Sequence, residues 1–220
     1  MTTTEMPPPD SSNGSSNGSS IGTRKVTRAS PTLIGWVVRD LVIGLSVVLL
    51  LWLAGGLQQL FSVWWTALPI AVICFIACYA LCYIVHEWGH YLGARFSGIK
   101  MPLAPYRGFI LGQFQIDDYT VKQYLWLSWG GDLGHVIVTV GALILYLVQP
   151  GWVSGAFLVG GIAFSVQALA VDQPIIWKVT NGADIVETAT IGTAPQLILK
   201  RTWQTWLPLA SLIVLWQWFS

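Results

Sequence analysis

Residues 67–98 read ALPIAVICFIACYALCYIVHEWGHYLGARFSG. Ala67–Val85 carries no charged residue. At about 1.5 Å per residue in a helix it reaches most of the way across a bilayer core. The run does not break before it meets His86, Glu87 and His90. Ionisable groups inside a membrane span are expensive, and those that occur usually serve a function. This stretch therefore predicts a membrane helix with a polar, reactive inner end.

The rest of the chain agrees with lipid as the solvent. Of 220 residues, 54% are hydrophobic and 10% charged; a soluble domain carries about 25% charged residues. There are 13 tryptophans, and Trp64, Trp65, Trp152, Trp203, Trp206, Trp216 and Trp218 stand at the ends of apolar runs, where an indole keeps its ring in lipid and its N–H in water. The expected fold is an all-α polytopic membrane protein of about five transmembrane helices, near 41–57, 67–92, 124–148, 152–171 and 203–219. Residues 1–30 are Ser-, Asn-, Gly- and Pro-rich and too polar to bury a core, so they predict a disordered tail rather than a signal peptide. Residues 31–220 form the membrane domain. Between the second and third spans, residues 101–117 are too apolar for a free loop and too glycine-rich for a helix. They predict a short membrane-associated strand or hairpin.

Charge sets the orientation. All 11 Lys and Arg fall within 1–40, 93–123 and 172–202. Basic residues collect on the cytoplasmic side, so the N-terminus is expected inside, the C-terminus outside, and His86–His90 near the cytoplasmic leaflet. A net charge of +1 offers no electrostatic basis for binding nucleic acid. Cys74, Cys78 and Cys82 share one helix face at spacing four and read as small packing residues.

The chain has three histidines. His86 and His90, one helical turn apart, project from one face, with Glu87 between them. Such a pattern gives zinc two neutral nitrogen ligands and places a carboxylate to take a proton from the attacking water. The third histidine, His135, and Asp132 lie in the next span. His86 is about 13 Å along the helix from Arg95, and Asp132 and His135 about 15–20 Å from Lys122. The two clusters thus fall at similar depth on antiparallel helices, and the glycines of Gly130-Gly131-Asp132-Leu133-Gly134-His135 allow close approach. Zinc needs a third protein ligand, and Asp132, His135, Asp172, Asn181 and Asp184 are the candidates. Three histidines are too few for a multi-histidine di-iron oxidase.

His86–Gly98, HEWGHYLGARFSG, resembles the H-E-x-G-H-x-x-x-A-x-x-x-G signature of the site-2 protease family of intramembrane zinc proteases. Trp129–His135 is similar to the family's second motif in place and in its small residues. It has Asp132 where proline is usual and His135 where asparagine is usual. Ala183-Asp184-Ile185 with Gly192-Thr193-Ala194-Pro195 resembles the family's last motif. The resemblance spans roughly Ala67–Pro195. It implies a Zn2+ cofactor on His86, His90 and Asp184, Glu87 as general base, and His135, or Asp132, as hydrogen-bond donor to the oxyanion. It also implies a substrate strand pairing near Gly108–Ile116.

The expected activity is that of an HExxH-type zinc metalloendopeptidase cutting transmembrane protein substrates within the lipid bilayer. Two other readings stand beside it. One is a non-proteolytic relative acting as a membrane binding or regulatory protein; the other is a metal or proton transporter.

Overall fold

The computed structural model describes residues 32–60, 64–104, 111–112, 116–192, 196–197, 200 and 202–203. The chain is an all-α polytopic membrane protein. Its long helices are α1 (Leu33–Leu60), α2 (Trp64–Phe96), α3 (Val121–Val148) and α4 (Trp152–Thr180), followed by the short α5 (Ile185–Gly192). Four stretches, Leu33–Leu57, Leu68–Phe96, Val121–Val148 and Trp152–Thr180, are long and apolar enough to cross a membrane. The expected fifth span, 203–219, lies outside the described residues apart from Trp203, and the tail 1–30 lies wholly outside them.

Two of these helices run past the charged residues at which their apolar runs end. α1 begins at Leu33 rather than 41 and carries Arg39 and Asp40 inside it. The two neutralise one another at 2.6 Å. The Arg39 guanidinium also lies over the Trp36 ring, 3.8 Å from its centroid. Asp40 accepts a second hydrogen bond from Trp88 Nε1 at 2.7 Å, which ties α1 to α2. α4 runs on past Val171 to Thr180, so Asp172, Gln173 and Pro174 are helical. α3 starts at Val121, held by a reciprocal cap: Gln123 N–H donates to Thr120 Oγ1 at 3.3 Å, and Thr120 N–H to Gln123 Oε1 at 3.0 Å. Two orphan amide donors are satisfied in this way.

α2 packs along both α3 and α4. Glycine sets the α2–α3 distance. A Cβ on Gly89 would fall 2.1 Å from the Gly130 carbonyl oxygen, and one on Gly134 would fall 2.4 Å from that of Val85. The backbones touch where side chains would stand, as they do where small residues line membrane helix contacts. Cys78 and Cys82 are fully buried with Phe157 and Phe164 in the core, and Cys74 in a cluster with Val153. All three thiols are free. Of α4's most apolar stretch 50% is buried in the bundle, against 11% for α1. α1 is therefore the peripheral, lipid-facing helix.

The segment expected to be extended near 101–117 contains one antiparallel bridge, Leu103 to Gly112. Ala104 N–H donates to the Leu111 carbonyl at 2.8 Å. No longer strand occurs among the described residues. Leu111 and Ala104 are instead held by packing on Trp36 of α1, with Trp88 and Tyr91 of α2 alongside.

Candidate metal centre

The site begins with the register of α2. One turn of helix brings His86 Nε2 to 2.9 Å from His90 Nε2. His90 Nδ1 is 2.8 Å from the Leu127 carbonyl oxygen on α3. A carbonyl only accepts, so Nδ1 carries the proton and Nε2 presents a lone pair. The ring fits because α3 has glycine opposite it: a Cβ on Gly131 would lie 2.3 Å from His90 Cε1.

The third candidate ligand comes from α4. Asp172 Oδ2 lies 3.7 Å from His86 Nε2. His86, His90 and Asp172 each offer one ligand atom, and these atoms all lie within 4.8 Å of one another. Two ligands at 2.0–2.1 Å on a tetrahedral zinc ion stand roughly 3.3 Å apart. The separations of 2.9 and 3.7 Å bracket that value, and two imidazoles with one carboxylate are a donor set zinc accepts in hydrolytic sites. The residues present fit a zinc ion.

Asp184, which the family resemblance pointed to, is elsewhere. It is exposed, and its Oδ1 accepts the backbone N–H of Glu187 at 2.8 Å. It is the cap that starts α5, and its carboxylate is spent on the orphan amides of that helix. Asn181 likewise closes α4, donating from Nδ2 to the Trp177 carbonyl at 2.7 Å. The carboxylate grouped with both His86 and His90 is that of Asp172. It was one of five candidates in the sequence, and the continuation of α4 through Pro174 turns it toward α2.

Glu87 is buried, 9% exposed. Its Oε2 accepts the Leu111 N–H at a long 3.4 Å. The apolar segment after α2 thus reaches the carboxylate that stands between the two histidines.

His135 and Asp132 also stand close to His86. The rings of His135 and His86 are 5.5 Å apart between centroids, and both lie edge-on to Phe164. His135 is fully buried and Asp132 nearly so. Asp132 Oδ2 accepts from Gln173 Nε2 at 2.7 Å, and Asp132 Oδ1 is 3.4 Å from His135 Nε2. His135 Nδ1 lies 3.0 Å from Ser165 Oγ, which is 2.8 Å from Thr139 Oγ1. Sequence reasoning did not single out Gln173, Ser165 or Thr139. The signal available for Gln173 was its place beside an aspartate inside an apolar helix.

No family model, curated protein or solved structure matches the chain.

Proposed function

We propose that the chain is a zinc metalloprotease that hydrolyses peptide bonds of membrane-protein substrates within the bilayer, as a short, diverged member of the site-2 protease family. The observation that carries this reading is the convergence of His86 and His90 from α2 with Asp172 from α4, beside a buried Glu87. The HEWGH spacing supports it independently. On the distribution of Lys and Arg the site lies toward the cytoplasmic leaflet.

Bound zinc supplies the Lewis-acid charge that makes water nucleophilic at neutral pH and polarises the scissile carbonyl. The protein's own groups do the rest. Glu87 accepts a proton from the attacking water and passes it to the departing amine. Leu127 holds the His90 ring through its carbonyl, so that Nε2 keeps facing His86. The glycines of α2 and α3 bring the helices into close contact around the histidines. A site buried at this depth suits a substrate whose own transmembrane helix unwinds locally to expose a peptide bond.

The test is Glu87→Gln in full-length protein reconstituted into bilayers with a transmembrane substrate. Cleavage should fall by at least about 10²–10⁴-fold, the range a general base contributes, while bound zinc stays at the wild-type level. Full cleavage by Glu87→Gln would overturn the proposal.

A further inference from the structure

Beside the ligand set His86, His90 and Asp172 stands a second one. His86, Asp132 and His135 also offer one ligand atom each, all within 4.8 Å of one another. His86 belongs to both sets.

A hydrogen-bond relay surrounds His135. Its Nε2 lies 3.4 Å from Asp132 Oδ1; a carboxylate only accepts, so without a metal the neutral ring carries its proton on Nε2. Ser165 Oγ, 3.0 Å from His135 Nδ1, then donates to that nitrogen, and it lies 2.8 Å from Thr139 Oγ1. A hydroxyl both donates and accepts, so Ser165 can turn its proton to Thr139 and accept from His135 Nδ1, which frees the Nε2 lone pair for a cation. Asp132 is 3% exposed and His135 0%.

A carboxylate buried as deeply as that of Asp132 calls for positive charge close by. Among the described residues, His135 is the only ion-pair partner of Asp132. A metal ion between Asp132 Oδ1 and His135 Nε2 supplies that charge. The 3.4 Å separation of Asp132 Oδ1 and His135 Nε2 matches the roughly 3.3 Å between two ligands on a tetrahedral ion. Gln173 occupies the other Asp132 oxygen and leaves Oδ1 for the cation.

We propose that this buried cluster holds one divalent transition-metal ion in either of two seats that share His86. The working seat is His86, His90 and Asp172; the parking seat is His86, His135 and Asp132. The inference rests on the zinc-centre reading above and adds a regulation to it. An ion in the parking seat is retained by the protein but has left His90 and Asp172, so the enzyme is metal-loaded and idle. The two seats are joined through the chain itself, because Gln173, bonded to Asp132, directly follows Asp172.

Cobalt(II) titration of the metal-free, full-length protein tests this, read by calorimetry and by visible absorption. Wild type should bind one Co2+, with absorption from two species that Asp132→Asn collapses to one. Asp172→Asn and His90→Gln should each still bind one Co2+, with a changed spectrum and an association constant lowered less than about tenfold. A single-seat site losing a direct ligand should lose more than the 10–100-fold that outer-shell changes cost. Asp172→Asn combined with His135→Phe should lose at least about a further hundredfold. Loss of cobalt by Asp172→Asn and His90→Gln, both with wild-type helical circular dichroism, would overturn the parking seat alone. A single wild-type species that ignores Asp132→Asn would do the same without relying on any weakened variant, and so would two ions per chain. A wild type that binds no cobalt would overturn the zinc-centre reading as well.

Discussion

Two aspartates near the end of α4 divide the work. Asp184 stands in the turn before α5 and caps it. Asp172 lies inside α4 and faces His86. Asp184→Ala should cost about 0.5–2 kcal/mol of stability, the loss of one N-cap, and leave cleavage intact. Asp172→Ala should lower cleavage by more than about a hundredfold, beyond the 10–100-fold cost of losing an outer-shell partner. Turnover of a transmembrane substrate and thermal unfolding of both variants check the pair. HEWGH was legible at this scale because helix periodicity alone puts His86 and His90 on one face. Asp132 and His135 were legible as neighbours of that face, because depth along two antiparallel helices can be counted from the basic residues at their ends. Asp172 could not be chosen over Asp184 from sequence. A charged residue in an apolar run looks like the end of a span until a partner such as His86 is known to lie across from it. The neighbour of His135 Nδ1 was beyond reach too, since Ser165 comes from another helix.

At the scale of elements, close helix contact holds α2 on α3, and the Trp88–Asp40 hydrogen bond ties α1 to α2. Gly93 packs so near α3 that a Cβ there would be 2.2 Å from the Trp126 carbonyl oxygen. Gly93→Leu should destabilise the fold by about 1–3 kcal/mol, the range for overpacking, and lower zinc affinity with it; denaturant titration and metal analysis of the purified variant measure both. Trp88→Phe removes the donor to Asp40. It should cost about 1–3 kcal/mol, toward the lower end because Arg39 remains bonded to Asp40. The helices themselves were legible from hydropathy, and Gly130-Gly131 announced the close contact. Their ends were not, because α1 and α4 absorb charges through Arg39–Asp40–Trp88 and Asp172–His86, pairings made between helices or between adjacent side chains. Of the strand expected near 101–117, the described residues carry the bridge of Leu103 with Gly112, beside which Ala104 and Leu111 pack with Trp36, Trp88 and Tyr91; residues 105–110 and 113–115 lie outside the described residues.

For the whole molecule, the membrane class follows from composition, and α2, α3 and α4 bring His86, His90, Asp132, His135 and Asp172 together. The orientation rests on the partition of Lys and Arg. Impermeant maleimide added to intact cells should label Pro150→Cys, between α3 and α4, and should not label Asn181→Cys. Wild type supplies a silent background, since Cys74, Cys78 and Cys82 are 0% exposed. The reverse pattern would turn the protein over in the membrane. The arrangement of the bundle matters because it makes one prediction about metal that composition cannot: the ligands are histidine and aspartate, although three buried thiols lie along the same helix as His86. Zinc-edge X-ray absorption of the purified wild-type protein reads this directly. Two imidazole nitrogens and oxygen neighbours at about 2.0–2.2 Å are the expected result. A sulfur shell near 2.3 Å, or protein that takes up no zinc, would contradict it.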